Sequence, residues 1–340
     1  MTIADQITRI KNAKEAIKQS IENKGVTVSD TAKLDEYPAL IDSITVGSGE
    51  ETSSYWPDFF EFKYRRTFNG INVVDARYLF SYTCVIEGEE KYKRLIENLD
   101  TSNITYIDCV FYYFCYSMNN PLKDLDLTKW NTNNFVSFNK MFSYCGVESL
   151  NISGWNFGIT SFKYLFEQAK IKSINMTDCN TSNITDFSYT FYNASELTSV
   201  NITGCDTSNA TTMSYMFYYC SKLTEIMGEL DCSNLSGGLF PSTYASPFMG
   251  CNKLETLYLK NIYKDCTITN ASKFSINLAD TKVKDECLIY IINELPDLIN
   301  DKGLTATDKI VLTLPKTNTL TAEQVQVAIS KGWQVANTTY

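Results

Sequence analysis

Residues Leu197–Ile226 read LTSVNITGCDTSNATTMSYMFYYCSKLTEI, and the segment closes on the same Leu-Thr with which it opens. Its parts return upstream and downstream, so the chain reads as a stack of copies of one unit and not as a single catalytic domain. The copies align on one phenylalanine, at Phe80, Phe111, Phe142, Phe166, Phe191, Phe217 and Phe248. Central spacings are 24, 25 and 26 residues, whereas the outer ones are 31, which implies short insertions there.

An apolar trio precedes each later unit: Leu122-Leu125-Leu127, Val147-Leu150-Ile152, Ile171-Ile174-Met176, Leu197-Val200-Ile202, Leu223-Ile226 with a disturbed third position, and Leu254-Leu257-Leu259. Apolar and polar residues alternate at the end of each trio, the pattern of a short strand with one face inward. Stacked copies predict a parallel sheet of about six strands, roughly 25 to 30 Å across at about 4.8 Å per strand. An Asp-Thr-Ser-Asn turn or a variant follows the strand, giving an asparagine column at Asn103, Asn134, Asn183, Asn209 and Asn234, with Gly158 as the exception. A side-chain amide there can bond its own and the neighbouring copy's backbone, so these asparagines are assigned to structure and not to a ligand. In the next segment Met213, Met216, Phe217 and Cys220 fall at helical spacing, which predicts a short helix or helical turn on the opposite wall.

Two cysteine columns accompany the repeat: Cys145, Cys220 and Cys251 behind the phenylalanine, and Cys179, Cys205 and Cys232 after the strand, where Trp130 and Trp155 stand in earlier copies. Column neighbours would lie near 5 Å apart, within reach of a disulfide. The odd total of 11, the absence of a secretory pattern in MTIADQITRIKNAKEAIKQ and the lack of a paired CxxC arrangement favour inert buried thiols.

Composition narrows function. The formal net charge of −9 and the absence of a basic stripe argue against nucleic acid as a partner. No run of 18 apolar residues is present, so membrane insertion is not expected. The chain contains no histidine, which removes the usual general base, the histidine-activated nucleophiles and the commonest transition-metal ligand. No phosphate-binding glycine loop is seen, and carboxylates such as Asp124, Asp126, Asp178, Asp206 and Glu225 read as solvated side chains; no cofactor, metal site or catalytic residue is assigned.

The 22 tyrosines exceed what a core needs. Tyr164, Tyr189 and Tyr215 precede the column phenylalanine by two; Tyr112, Tyr192 and Tyr218 follow it directly; Tyr113, Tyr144 and Tyr219 come one later. If the phenylalanine points inward, some of these must point out, and an aromatic ladder suits protein contacts or sugar faces. These nine form the candidate recognition surface.

The flanks differ from the repeat. Ile3, Ile7, Ile10, Ile17 and Ile21 follow a heptad pattern broken only by Lys14, with isoleucine on both core rows, so they are the candidate oligomerisation residues and point to three or four strands. A second apolar segment carries Leu34, Tyr37, Leu40, Ile41 and Ile44, and VGSGEETSS at 46–54 has linker composition. Residues 55–79 are aromatic-rich and read as an N-terminal cap, and after Asn270 the period breaks. There, VKDECLIYIINELPDLI predicts a helix, IVLTL a strand, and TAEQVQVAISKGW a helix with a Thr321/Gln324 capping box that stops at Gly332.

The pattern L.sL.i.g.dTSN.t.m..MF..c..L resembles the BspA-like branch of leucine-rich repeats, known from bacterial surface proteins and from phage proteins, and covers about 80 to 265. IKNAKEAIKQSIENKGVTVSDTAKLDEYPALIDSI resembles a short helical module at the N-termini of bacteriophage tail and fibre proteins, and the final KGW resembles a C-terminal ending found on proteins of this repeat type.

The resemblances imply an α/β leucine-rich-repeat solenoid of six to seven repeats. The expected organisation is a helical attachment or oligomerisation module at 1–45, a linker at 46–54, an aromatic cap at 55–79, repeats at 80–266 and an α+β cap at 267–340. The expected function is a non-enzymatic virion structural protein, a tail or head fibre or appendage, assembled in the host cytoplasm. Its expected partners are other virion proteins through the N-terminal module, a host surface protein or glycan through the solenoid, and copies of itself in a trimer. A bacterial cell-surface adhesin and a glycan-degrading fibre are the alternatives.

Overall fold

The computed structural model describes residues 65–68, 71–81, 90–116, 122–236, 246–268, 274–305, 308 and 310–338, together with Glu15, Lys18, Gln19, Glu22, Val28 and Ser29. The chain divides into two compact units, Met1–Trp56 and Pro57–Tyr340. In the first, Glu15, Lys18, Gln19 and Glu22 are helical and Lys18 pairs with Glu22 at 3.9 Å. The heptad isoleucines Ile3, Ile7, Ile10, Ile17 and Ile21, the second apolar segment and the linker lie outside the described residues.

The second unit is a parallel-sheet solenoid of about eight turns. Its main sheet has six parallel strands in chain order: β4 (Asp124–Asp126), β5 (Ser149–Asn151), β6 (Ser173–Asn175), β7 (Ser199–Asn201), β8 (Glu225–Asp231) and β9 (Thr256–Lys260). The middle residue of each trio sets the register, with Leu125 opposite Leu150, Leu150 opposite Ile174, Ile174 opposite Val200 and Val200 opposite Ile226. All are buried, while their serine and asparagine neighbours are half-exposed. The disturbed trio is explained by a bulge: between Glu225 and Glu229 the register shifts, and Gly228 adopts φ +101° where a Cβ would stand 2.9 Å from the Thr203 nitrogen and 3.0 Å from the Ile202 carbonyl carbon.

Phe80, Phe111, Phe142, Phe166, Phe191, Phe217 and Phe248 form one continuous stack inside the solenoid, with successive ring centroids 5.4, 5.4, 5.2, 5.0, 4.9 and 6.0 Å apart. Six of the seven are fully buried; Phe80, at the N-terminal end, is partly so. Each coil thus contributes one ring to a core shared only with its two neighbours.

The turn sequence Asp206-Thr207-Ser208-Asn209 has a task for three of its side chains. The Asp206 carboxylate accepts from the Ser208 amide at 2.9 Å, the buried Thr207 hydroxyl donates to the next coil's Asp231 carbonyl at 3.1 Å, and the Asn209 amide donates to the previous coil's Ser182 carbonyl at 2.8 Å. Asn134 and Asn234 donate in the same sense, to the carbonyls of Ser102 and Ser208. The structural reading of the asparagine column therefore holds, and the threonine beside it is an equal partner in joining the coils.

The predicted helix at Met213–Cys220 is not formed. Amides there alternate between closing i→i−3 turns and reaching the next coil: Met216 and Tyr218 donate to Met213 and Tyr215, whereas Phe217 and Tyr219 donate to Pro247 and Met249. The spacing of Met213, Met216 and Phe217 that suggested a helix comes from these tight turns, so the architecture is a β-solenoid and not an α/β repeat.

Both ends of the main sheet are covered. Helix α1 (Glu90–Glu97) lies beside β4, with the Glu97 carboxylate accepting from the Asp126 amide at 2.9 Å and the Trp130 indole donating to the Ile96 carbonyl at 2.8 Å. Upstream, β1 (Arg65–Phe68) and β2 (Ile71–Asp75) form an antiparallel pair, and β3 (Ile104–Tyr106) adds to β2 in parallel. At the other end α2 (Asp285–Glu294) packs on β9, followed by a parallel sheet of β10 (Ile276–Asn277), β11 (Val311–Thr313) and β12 (Gln334–Ala336), with α3 (Ala322–Ser330) between its last two strands. The Thr321/Gln324 capping box is present. The KGW ending also has a physical reason: Lys331 Nζ donates to the carbonyls of Ile292, Asn293 and Leu295 at the end of α2, and the buried Trp333 donates to Pro296.

All ten described cysteines are unbridged and nine are buried. Burial pushes the Cys145 thiol up to about 12 and raises Cys220, Cys232 and Cys251. The second column needs one correction. The Ser233 amide donates to Asp231 and Asn234 to Ser208, just as Ser208 donates to Asp206 and Asn209 to Ser182. Cys232 therefore holds the threonine position of its turn, and Leu230 is the residue that follows Cys205 in the stack.

Candidate recognition wall

The phenylalanine arc carries the outward-facing aromatic surface. In each coil the phenylalanine and the residue before it point inward, as in Met216 and Phe217 or Leu165 and Phe166. Where tyrosine stands two before, one after or two after it, the side chain points outward, and these are the three tyrosine positions. Tyr112, Tyr113, Tyr144, Tyr164, Tyr189, Tyr192, Tyr215 and Tyr218 are half-buried, and Tyr219 is 47% exposed.

The backbone conformation on this wall is unusual. The residue two before the phenylalanine has positive φ in six coils, at Tyr78, Cys109, Lys140, Tyr164, Tyr189 and Tyr215. The residue two after it does so at Tyr113, Tyr144, Gln168, Asn193 and Tyr219. An L-residue with a Cβ loses roughly 1 to 2 kcal/mol in this region, and glycine or asparagine is the usual occupant. The left-handed residues expose their amides to the next coil, which accounts for the conformation; it does not account for tyrosine.

Ten tyrosines, the nine candidates and Tyr116, form two clusters. In the first, Tyr113 and Tyr144 stack face to face at 4.3 Å and 7°, with Tyr112 and Tyr116 set edge-on against Tyr144. In the second, Tyr189 stacks on Tyr215 at 4.8 Å and Tyr192 on Tyr218 at 5.4 Å and 3°, with Tyr164 and Tyr219 at its margins. Glu167 and Gln168 stand between them: the Gln168 amide donates to the Tyr144 hydroxyl at 2.6 Å, and Lys140 lies 3.6 Å from Glu167. Lysines sit over ring faces, Lys163 5.3 Å from the Tyr164 centroid and Lys170 4.0 Å from that of Tyr116.

Burial, then the nearby Glu167 charge, push the Tyr144 hydroxyl up to about 12, and burial raises Tyr189 and Tyr218 in the same direction. These hydroxyls stay protonated at neutral pH and remain hydrogen-bond donors. Sequence reasoning found the tyrosine columns but missed Tyr116, Lys163 and Lys170, which fall outside the repeated positions. It also missed the left-handed backbone, because tyrosine carries no signal for it.

Among the described residues, no three Cys, Asp or Glu side chains converge as a metal site, and no helix is long and apolar enough to cross a membrane.

The fold and its inter-coil bonding define a parallel-sheet solenoid of BspA-like repeats. A family described as Mycoplasma protein of unknown function, DUF285, matches in two overlapping segments, residues 58–178 and 146–238, which together span more than half of the chain. The chain belongs to this family. No curated protein and no solved structure matches it.

Proposed function

We propose that this is a non-enzymatic virion structural protein, a fibre or appendage, whose tyrosine wall binds a host surface or a neighbouring subunit. The observation that carries the binding role is the pairing of tyrosine with positive φ at Tyr113, Tyr144, Tyr164, Tyr189, Tyr215 and Tyr219. Strain retained at an outward position where glycine would be relaxed is the mark of a side chain kept for what it contacts. The virion assignment rests on the resemblance of residues 10–44 to phage fibre modules, and the isoleucine heptads from Ile3 to Ile21 are read as the trimerising element.

The wall narrows the partner. Face-to-face stacking of Tyr113 on Tyr144, Tyr189 on Tyr215 and Tyr192 on Tyr218 occupies ring faces, leaving edges and hydroxyls for contact. A sugar ring stacks on a bare aromatic face, whereas a polypeptide surface can use edges and hydroxyl donors, so the occupant is a protein. The family description names Mycoplasma, and this favours the second reading, a bacterial cell-surface adhesin using the same wall.

Particles carrying the wild-type chain or the triple variant Tyr112→Ala, Tyr192→Ala, Tyr218→Ala separate these ideas. Both chains should co-purify with particles and have matching thermal stability, and the variant particles should adsorb more slowly to host cells. A chain that never co-purifies with particles would sink the virion reading. Unchanged adsorption by a stably folded variant would sink the tyrosine wall.

A further inference from the structure

The cysteines that sequence reasoning assigned to an inert core are not equivalent. Cys179 is 2% exposed, and Cys205, at the same position one coil later, is the one described cysteine that is not buried. Their register follows from the strand pairing of Asn175 with Asn201, four residues before each. The coils approach closely here: a Cβ on Gly204 would stand 3.2 Å from the Asp178 Cα, and both residues have positive φ. Backbones one sheet spacing apart, about 4.8 Å, lie inside the Cα separation that a disulfide spans. The Cys205 thiol already leans toward the preceding coil, with Sγ 3.0 Å from the Met176 carbonyl.

Room for the Cys205 sulfur to turn is present as well. A small apolar void of about 20 Å³ lies behind Cys205, lined in part by Met176, Thr181, Ile202, Met216 and Leu230. Cys220 and Cys251, which stack in the other column, are fully buried.

We propose that Cys179 and Cys205 form a dithiol–disulfide couple joining two adjacent coils in the middle of the solenoid. Cys205 is the attacking thiol, because it alone meets solvent, and Cys179 is the resolving one. The hydrogen bond between the two thiols supports these roles, lowering the pKa of Cys205 and raising that of Cys179. With a low-molecular-weight disulfide as oxidant, the Cys205 thiolate attacks one sulfur, the S–S bond breaks and one thiolate leaves. Cys179 then loses its proton, its sulfur attacks Cys205 Sγ and the second thiolate leaves. The pair gives up two electrons and two protons, and the oxidant is reduced to two thiols.

The test uses the folded full chain and glutathione disulfide, read by intact mass and peptide mapping. Wild type should lose two hydrogens, mapped to a Cys179–Cys205 link, while Cys220 and Cys251 stay reduced. Cys179→Ser should stop at a stable glutathione adduct on Cys205, and Cys205→Ser should take up neither link nor adduct. A wild-type chain that accumulates the adduct without the link, stays fully reduced, or links other cysteines first would overturn the proposal. Circular dichroism of each serine variant shows whether it is folded, and Cys205→Ala serves as a second variant if serine perturbs the coil.

Discussion

Replacing Phe191 by alanine removes the ring at the middle of the phenylalanine stack. Phe191 is 1% exposed and lies between Phe166 at 5.0 Å and 2° and Phe217 at 4.9 Å and 5°. A buried phenylalanine-to-alanine change costs about 3 to 5 kcal/mol, and each lost ring pair adds about 0.5 to 1.5 kcal/mol beyond the area term. The stack cannot close over the gap, because neighbouring coils are held by the Thr207 and Asn209 bonds on the other side of the core. The expected loss is therefore at the upper end, about 5 kcal/mol. Phe80→Ala at the stack's end, where the ring is partly buried and meets Phe111 at 5.4 Å, should cost less than half as much. Urea unfolding followed by tryptophan fluorescence measures both, with Trp130 and Trp155 reporting from within the repeats. Equal losses at the two positions, or a loss below about 2 kcal/mol for Phe191→Ala, would refute the inference that coil-to-coil ring contact holds the solenoid together.

Two further outcomes are expected. Hydrogen bonds from the Ser208 hydroxyl and amide hold the Asp206 carboxyl below the usual carboxylate range, so its contribution to stability is present above the unfolded value of 3.8 and is lost as pH falls through the lower folded value. Asparagine performs the same turn role at Asn180, whose side chain accepts from the Ser182 amide. Asp206→Asn should consequently keep the fold and flatten the acid limb of the stability curve, as measured by thermal unfolding between pH 2 and 6, a range of about two units on either side of that ordinary value. Lys331→Met leaves two α2 carbonyls and that of the following Leu295 without their donor and should cost about 1.5 to 3 kcal/mol, seen as earlier hydrogen exchange in α2.

Much of this body is legible in the sequence because a solenoid repeats its physics. Leu150, Ile174 and Val200 mark the strand, Asn209 and Asn234 mark the turn, and Phe166, Phe191 and Phe217 mark the stack, each position tested again one coil later. Met213, Met216 and Phe217 misled because their three- and four-residue spacings are shared by a helix and by tight turns with left-handed residues between them. No residue preference could separate the two when the left-handed positions hold Tyr215 and Tyr219 in place of glycine. Cys232 lies two positions out of register with the column because the strand at Met227, Gly228 and Glu229 is irregular, and a bulge leaves no mark in a search for columns. The candidate wall was half legible: the tyrosine positions follow from an inward phenylalanine, but the stacking that occupies their faces requires the distance between coils.

The most direct measurement places a photo-crosslinking amino acid at Tyr218 on the wall or at Ser199 on the outer face of the sheet, and irradiates the folded chain on host cells. Both sites accept a probe without entering the core, since Tyr218 and Ser199 are half-exposed on different faces of one coil. Partner adducts from position 218 and none from position 199 are predicted. Adducts from 199 alone, or equal yields from both, would contradict the claim that this protein meets its partner through the tyrosine wall.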